Sequence, residues 1–277
     1  MTIDGKTAVL VHLAWPSAHL QTPQRFNAAC TERGLNAVLV PWQVHPDHLA
    51  QTMAALRDAE SVAGMIVTIP HKETAALLCD RLDGVADLLK VANVIRREPD
   101  GTFTGRILDG LGFVRGLERA GTPIAARGAL LVGAGGVALA IAAALIEAGL
   151  TRLRIHNRTR ARAEAMVARL HALAHANGAR VTLEIADAPD PAGLDIVVNA
   201  TSLGMHPGDA LPVDPAQITP AMTVAEVVMV PRITPLLQAA TLRGATTVPG
   251  EAMILDQIDP FIDFVTGRRS DLPARDH

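Results

Sequence analysis

"ALLVGAGGVALAIAAALIEAGLTRLRIHNRT" (residues 129–159) contains an apolar run, a glycine-rich turn, an alanine-rich segment that ends at a glycine, and a second apolar run. This order predicts a strand, a helix and a second strand of a parallel α/β sheet. The turn, 132–138, fits the pattern Gly-x-Gly-x-x-Ala. Between a strand and a helix, that pattern is typical of a dinucleotide-binding site.

Each position of the glycine pattern has a physical role. Gly133 permits the tight turn, Gly135 lets the backbone approach a pyrophosphate, and Ala138 lets the helix pack closely on the strand. The first amides of a helix have no partner within the helix and carry a partial positive charge, which suits phosphate. We therefore predict a dinucleotide site here, although a plain strand-to-helix turn is the alternative.

The end of the second predicted strand, "HNRTRAR" (156–162), bears on the choice of cofactor. An acidic residue there bonds the ribose 2′-hydroxyl of NAD, whereas arginine meets the 2′-phosphate of NADP. The segment contains Arg158, Arg160 and Arg162 and no acid, so it predicts NADP, with NAD less favoured. The alternative is an exposed basic helix start, which is disfavoured because positive charge opposes the helix dipole.

The rest of the chain also alternates between strand and helix patterns, which indicates an α/β fold. A hairpin with Asp100-Gly101 at its turn is predicted over 91–106. The last segment, 250–267, is predicted to be helical with a bend or break at Pro260. The other predicted strands are 6–14, 36–44, 64–70, 195–204 (with its loop) and 222–229. The other predicted helices are 22–34, 46–60, 72–82, 110–121 and 160–178.

Composition excludes several classes of protein. The chain has 277 residues and a formal charge of −3, which gives no reason to expect nucleic acid or an anionic membrane as partner. No apolar run reaches the ~20 residues needed to span a bilayer, and the N-terminus does not resemble a signal peptide. Cys30 and Cys79 stand apart, as expected of reduced thiols in a cytoplasmic protein. The chain has no tyrosine, which excludes a Tyr-dependent mechanism.

Lysine is rare in this chain, which makes Lys72 in "MIVTIPHKE" (65–73) a candidate for chemistry. Of the 25 Lys plus Arg residues, only Lys6, Lys72 and Lys90 are lysine. A nicotinamide enzyme moves a hydride and a proton, and a lysine can exchange that proton whereas an arginine cannot. Asp109 in "TGRILDGLGF" is the carboxylate that we expect to orient the Lys72 amine. The alternatives are the start of a solvated helix for Lys72 and a helix cap for Asp109.

Several segments together resemble the shikimate dehydrogenase family, over almost the whole chain and in the family's order. They are "VTIPHKE" (67–73), "VAN" (91–93), "LDG" (108–110), "GAGGVA" (133–138), "NRTRAR" (157–162), "NATSLGM" (199–205) and "GEAMILDQ" (250–257). The resemblance implies that Lys72 and Asp109 are the catalytic pair. It assigns substrate contacts to Leu20, Thr22, Thr68, Asn93, Met229 and Gln257. It assigns cofactor contacts to Gly133, Gly135, Gly136, Val137, Asn157, Arg158, Thr159, Arg162, Thr201 and Gly250.

The resemblance also implies an architecture and an activity. It implies a substrate-binding catalytic domain (1–110 with 250–277), a Rossmann domain (111–249), and a last helix that returns to the first domain. The implied reaction is oxidation of a ring alcohol with NADP, or reduction of the ketone, as in aromatic amino acid biosynthesis. The implied partner is a small-molecule substrate, and the chain is expected to be a monomer or a homodimer.

The chain departs from the family at polar positions around the substrate. Where the family has Ser-x-Ser-Pro, this chain has Leu20 and Thr22 before Pro23. Other replaced positions are Ile66 (family Asn), Arg106-Ile107-Leu108 (family Asp-Asn-Thr) and Met229 (family Tyr). A site that lacks hydrogen-bond partners binds a polar carboxylated ring poorly. We therefore expect altered substrate choice, with Arg106 either a new anion contact or an exposed hairpin-end arginine.

Three histidines and two rival functions complete the expectations. His71 is a possible substrate contact, His19 lies in the changed substrate loop, and His206 follows the cofactor loop, but none has a partner at metal-ligand spacing. One rival is a methylenetetrahydrofolate dehydrogenase, which normally needs a tyrosine that this chain lacks. The other is a regulator that binds NADP without turnover, against which the titratable Lys72 and Asp109 argue.

Overall fold

The computed structural model describes residues 2–18 and 20–267 of the chain. The chain divides into two compact units, Met1–Leu108 with Gln257–His277, and Asp109–Asp256. Each unit contains a six-stranded sheet flanked by helices. The predicted α/β class with two domains is therefore confirmed. His19 and the last ten residues of the predicted first domain lie outside the described residues.

The first unit has a mixed sheet. Its strands are β1 (Ala8–Ala14), β2 (Ala37–Gln43), β3 (Val62–Val67), β4 (Arg81–Leu82), β5 (Val94–Arg97) and β6 (Phe103–Arg106). Its helices are α1 (Thr22–Glu32), α2 (Leu49–Arg57), α3 (Lys72–Leu77), α4 (Val85–Leu89) and α10 (Ile258–Thr266). The strand order is β2-β1-β3-β5-β6-β4. β1 runs parallel to β2 and β3, whereas β5 is antiparallel to both β3 and β6.

The predicted hairpin is confirmed, but the predicted helix over 72–82 is too long. β5 and β6 form the hairpin, and Gly101 at its turn has φ +81°, a conformation that favours glycine. Helix α3 ends at Leu77. The chain then forms β4, which pairs with β6, because the backbone of Asp80 and Asp83 bonds to the edge of β6. Tertiary pairing there overrides the local helical pattern.

The C-terminal helix belongs to the first unit, as predicted, but its break is not at Pro260. Helix α10 packs on α1 and β5, and Arg33 pairs with Asp263 at 3.1 Å. The chain instead breaks at residues 256–257, after the short helix α9 (Glu251–Leu255). Pro260 lies in the first turn of α10, where a missing N–H leaves no intrahelical bond unmade.

The second unit is a doubly wound parallel sheet. Its strands are β7 (Gly128–Val132), β8 (Arg152–His156), β9 (Thr182–Ile185), β10 (Ile196–Asn199), β11 (Thr223–Glu226) and β12 (Thr246–Val248). Its helices are α5 (Asp109–Arg119), α6 (Gly136–Glu147), α7 (Arg160–Ala176), α8 (Pro235–Leu242) and α9. The order β12-β11-β10-β7-β8-β9, with parallel pairing throughout, is that of a Rossmann sheet. The predicted Rossmann domain is thus confirmed.

Close backbone packing positions the start of the second unit. Gly110 follows Asp109 in the first turn of α5, and a Cβ at Gly110 would lie 2.2 Å from the carbonyl oxygen of Ala140 in α6. Only glycine fits this approach, so the first turn of α5 lies directly against α6.

Among the described residues, no helix combines the length and the apolar character that crossing a membrane requires.

Candidate functional site

The glycine-rich turn joins three segments of the second unit. β7 ends at Val132, and Gly133 adopts φ +115°, a conformation that favours glycine. The Gly133 N–H donates to the carbonyl oxygen of His156 at the end of β8 (2.8 Å). A Cβ at Gly133 would lie 2.8 Å from the carbonyl oxygen of Ala200, just after β10. The turn after β7 therefore packs between the ends of β8 and β10, the two strands beside β7, where a side chain at Gly133 would not fit.

The N-terminus of α6 has the features that a pyrophosphate needs. Gly135 is the N-cap residue, and no side chain caps the helix. Gly135 is exposed, and a Cβ placed on it would meet no atom within 4 Å. Gly136 and Val137 supply the next backbone amides, whose N–H groups have no partner within a helix. These residues fit a dinucleotide, because unpaired amides and the helix dipole attract phosphate.

The arginine segment after β8 contains two available cations rather than three. Arg160 pairs with Glu164 and with Asp187. Arg158 and Arg162 are exposed, and neither has an ion-pair partner within the part of the chain that the structure describes. Thr159 is the N-cap of α7, and its carbonyl accepts from Asn157 Nδ2 at 2.8 Å. Two uncompensated cations at a helix start suit an added phosphate such as the 2′-phosphate of NADP.

We expect the double variant Arg158→Ala/Arg162→Ala to weaken NADP binding about 100-fold or more, because each charge-assisted bond contributes roughly 1.5–3 kcal/mol. Binding of NAD, which lacks the phosphate, should change little. Titration of both cofactors by fluorescence measures the two dissociation constants. Arg160→Ala is the matched control, expected to shift NADP binding by less than about threefold because its guanidinium is already paired. Equal losses for NAD and NADP would contradict the assignment.

Asn199 organises the loop after β10. Its Oδ1 accepts from the backbone N–H and the hydroxyl of Thr201, at 3.1 and 2.6 Å. Its Nδ2 donates to the carbonyl oxygen of Leu203 (3.0 Å) and to Oε1 of Glu226 (2.9 Å). The predicted cofactor residue Thr201 is therefore held in place by a fully bonded, buried asparagine.

Glu226, which the sequence analysis missed, is a buried acid at the end of β11. It is 1% exposed, and burial raises the pKa of its carboxyl while the bonds from Thr234 and Asn199 act in the opposite direction. The only sequence signal was an acidic residue that ends the apolar run "TVAE". Acids seldom occupy fully buried positions unless they are hydrogen-bonded.

The glycine predicted to contact the cofactor near the C-terminus has a packing reason of its own. A Cβ at Gly250 would lie 2.4 Å from the carbonyl oxygen of Val228, in the loop after β11. Gly250 is buried, and Met229 beside Val228 is partly buried. Close backbone approach therefore explains a glycine at 250 whether or not it also contacts the cofactor.

In the first unit, three of the predicted residues lie together. Lys72 is the first residue of α3 and is partly buried. Its carbonyl oxygen accepts from the N–H of Ala92 (3.1 Å), which places it beside Asn93. The Asn93 carbonyl accepts from the N–H of Val67 (2.8 Å), the residue before Thr68. The end of β3, the start of α3 and Asn93 thus form one polar region.

Gln257 joins this polar region through Asn93. Asn93 Oδ1 accepts from the N–H of Leu108 at 2.9 Å, and its Nδ2 lies 3.4 Å from Oε1 of Gln257. Gln257 is 3% exposed, and its Nε2 has no hydrogen-bond partner among the described residues. A buried donor without an acceptor is costly, so Gln257 Nε2 is the atom of this region with hydrogen-bonding capacity to spare for a ligand.

The remaining predicted residues are distributed over both units. Thr22 is buried in the first turn of α1, and Leu20 is partly buried just before it. Asp109 is 4% exposed and is the first residue of the second unit. Of the positions that depart from the family pattern, Ile66 and Leu108 are buried, and Ile107 is partly buried.

Two interpretations from the sequence need correction. His71 is 1% exposed, and its Nε2 lies 2.9 Å from the carbonyl oxygen of Val44. Burial lowers the pKa of this imidazole. Because the ring is almost fully buried and is bonded to a backbone carbonyl, His71 has a packing role rather than an open position for a substrate. Arg106 is not an open anion contact, because it pairs with Asp83 and its guanidinium lies 4.7 Å from the centre of the Phe264 ring.

Comparison with known proteins agrees with this arrangement. The family model described as the shikimate dehydrogenase substrate binding domain matches residues 13–95, and that described as shikimate / quinate 5-dehydrogenase matches residues 117–203. The shikimate dehydrogenase (NADP(+)) of Rubrobacter xylanophilus is 42% identical over 260 residues, which are 92% of this chain and 89% of that protein.

Solved structures with the same fold include a shikimate dehydrogenase and a reductase of another substrate. A shikimate dehydrogenase in complex with NADP+ is 32% identical, with a TM-score of 0.87 over 96% of this chain and 92% of that one. The 5-ketofructose reductase of Gluconobacter sp. strain CHM43 is 28% identical, with a TM-score of 0.86 over 96% and 95% of the two chains. From the shared fold, the two matched family models and the 42% identity over most of both chains, we conclude that this chain belongs to the shikimate dehydrogenase family.

Proposed function

We propose that this protein transfers a hydride reversibly between a ring alcohol and NADP, with Lys72 and Asp109 as the acid/base pair, on a substrate other than shikimate. The protein is an NADP-dependent oxidoreductase of its family, as predicted from the glycine turn and the arginine segment. In this proposal the first unit binds the substrate and the second unit binds the cofactor.

One observation carries the proposal: Lys72, Asn93 and Gln257 lie in one polar region, and Gln257 Nε2 is a buried donor without an acceptor among the described residues. Gln257 Nε2 can donate to an alcohol or ketone oxygen, and Lys72, whose backbone lies beside Asn93, is the residue of this region that can transfer a proton. Neither the folate rival nor the regulator is favoured by any comparable feature, and the family models match shikimate dehydrogenases.

The protein side of the reaction follows from these groups. Gly135, Gly136 and Arg158 would hold NADP, which would supply the acceptor for the hydride of the carbinol carbon. The Lys72 amine takes the proton from the substrate hydroxyl as the carbonyl forms, and it returns that proton when the ketone is reduced. The Asp109 carboxylate is assigned to stabilise and orient the resulting ammonium. Gln257 Nε2 is assigned to donate to a substrate oxygen, which would fix the ring for the transfer.

The proposal of an altered substrate rests on lost polar groups. The family has serine where this chain has the partly buried Leu20, and asparagine where it has the buried Ile66. Each lost bond to a charged group costs about 1.5–3 kcal/mol, so two losses weaken shikimate binding by a factor of hundreds. The similar fold named 5-ketofructose reductase supports the idea that this architecture accommodates other substrates.

We expect Leu20→Ser to raise kcat/KM for shikimate about tenfold, mainly by lowering KM, because a hydroxyl is restored at the position where the family binds the carboxylate. Steady-state NADP reduction measures this. Leu88→Ser in α4 is the control, because Leu88 is 42% exposed and belongs to the same unit. A shikimate kcat/KM that does not respond to Leu20→Ser would argue against Leu20 as the specificity change.

A further inference from the structure

Glu226 is the hub of a buried hydrogen-bond network that the proposed mechanism does not use. Its Oε1 accepts from Asn199 Nδ2 (2.9 Å), and its Oε2 accepts from the Thr234 hydroxyl (2.5 Å). The orientation of the Asn199 amide is set by the Thr201 N–H, which donates to its Oδ1. Thr234 in turn accepts from the N–H of Leu237 and so caps helix α8.

The network holds together two loops that follow adjacent strands. Asn199 determines the position of loop 200–204 after β10, and Thr234 determines the end of loop 227–234 after β11. The two loops are in contact, since a Cβ at Gly204 would lie 3.3 Å from Cβ of Thr234. Thr234 is 0% exposed and Gly204 is partly buried, so the Thr234 side of this contact is shielded from solvent.

Residues assigned to the cofactor lie next to these loops. Loop 200–204 packs on Gly133, where a Cβ would lie 2.8 Å from the Ala200 carbonyl, and it contains Thr201. Loop 227–234 packs on Gly250, where a Cβ would lie 2.4 Å from the Val228 carbonyl. In a doubly wound sheet the ligand binds outside the carboxyl ends of the strands, which is where both loops begin.

We propose that Glu226 is a positioning residue of the cofactor site: by bonding Asn199 and Thr234 it holds the loops after β10 and β11 in one arrangement and thereby sets the affinity for NADP(H). This inference rests on the proposed NADP dependence. Glu226 is not assigned to contact the cofactor or to transfer a proton. It acts through Thr201 and through the backbone around Gly133 and Gly250.

The test compares Glu226→Ala and Glu226→Gln with Thr223→Val. Thr223 is the first residue of the same strand, and its buried hydroxyl bonds that of Thr122 at 2.8 Å at the opposite end of the sheet. Thr223→Val therefore removes a buried hydrogen bond without touching either loop. The readout is the dissociation constant for NADPH, by nucleotide fluorescence, at a temperature where circular dichroism shows each variant to be folded.

We expect Glu226→Ala to weaken NADPH binding about tenfold, the equivalent of about one lost hydrogen bond. Glu226→Gln keeps the shape and an oxygen that accepts from Asn199, so its binding should stay within about threefold of wild type. Thr223→Val should lower thermal stability and leave binding unchanged. If Glu226→Ala does not fold, Thr234→Val replaces it and should weaken binding at least about threefold.

Three results would overturn the inference. They are unchanged binding in the folded Glu226→Ala variant, a loss in Thr223→Val equal to that in Glu226→Ala, and a Glu226→Gln variant as weak as Glu226→Ala. Failure of the wild-type protein to bind NADPH would instead contradict the NADP dependence itself. The two failures are therefore distinguishable in one titration series.

Discussion

Lys72→Ala should lower kcat by about 10²–10⁴-fold, the usual contribution of a positioned acid or base, on whichever alcohol the enzyme oxidises. The proton of the substrate hydroxyl then has no side chain to receive it. NADPH affinity should remain within about twofold of wild type, because Lys72 belongs to the first unit and no cofactor residue is assigned there. Steady-state NADP reduction measures kcat, and fluorescence titration measures the dissociation constant for NADPH.

The chain offers a matched control for that experiment, since it has only three lysines. Lys90 is exposed and pairs with Asp87 at 2.5 Å across one helical turn. Lys90→Ala should leave kcat unchanged, because a surface ion pair of this kind contributes little. A Lys72→Ala enzyme with nearly wild-type kcat would refute the assignment of Lys72 as the proton-transfer group.

Gly135→Asp should weaken NADP(H) binding by about 100-fold or more, because a carboxylate about 4 Å from a phosphate is repelled by a few kcal/mol. The same change should not harm folding. Gly135 has φ −94° and ψ −179° at the N-cap of α6, and a Cβ there meets no atom within 4 Å. Aspartate is also a better N-cap than glycine, so the melting temperature should stay the same or rise.

Gly135→Ala separates charge from bulk at this position. It adds the Cβ without the carboxylate, so NADPH binding should fall by less than about tenfold while stability changes little. A Gly135→Asp variant that binds NADPH more weakly while its melting temperature stays the same or rises is not explained by misfolding, because misfolding would also lower the melting temperature. Unchanged NADPH affinity in Gly135→Asp would show that the helix N-terminus is not the pyrophosphate site.

The second unit was largely predictable because its signals are local and strong. The glycine turn, the long apolar run of β7 and the helix pattern of α6 stand close together in the sequence. Strands β9 and β12 and helix α8 were missed, since β9 and β12 have four and three residues and carry no apolar alternation of useful length. Their pairing with β8 and β11 comes from the sheet, which is a tertiary effect.

The sequence predicted which residue types form the candidate site, but not which ion-pair and hydrogen-bond partners those residues have. Arg158, Arg160 and Arg162 look equivalent in sequence, and only the fold shows that Asp187 neutralises Arg160. Arg106 likewise gains Asp83 as its partner through strand pairing. His71 is buried and bonded to the carbonyl oxygen of Val44, just after β2, a contact between segments 27 residues apart that no local sequence pattern predicts.

The most direct test of the central claim is absorbance at the reduced-nicotinamide band, with purified protein, NADP, and shikimate, quinate and less polar cyclic alcohols in parallel. NAD is run beside NADP in each case. We predict NADP-linked turnover of a ring alcohol that Lys72→Ala lowers by about 10²–10⁴-fold, together with weak or absent turnover of shikimate. Efficient NADP-linked turnover of shikimate would contradict the altered substrate, and no turnover of any alcohol would contradict the proposed activity.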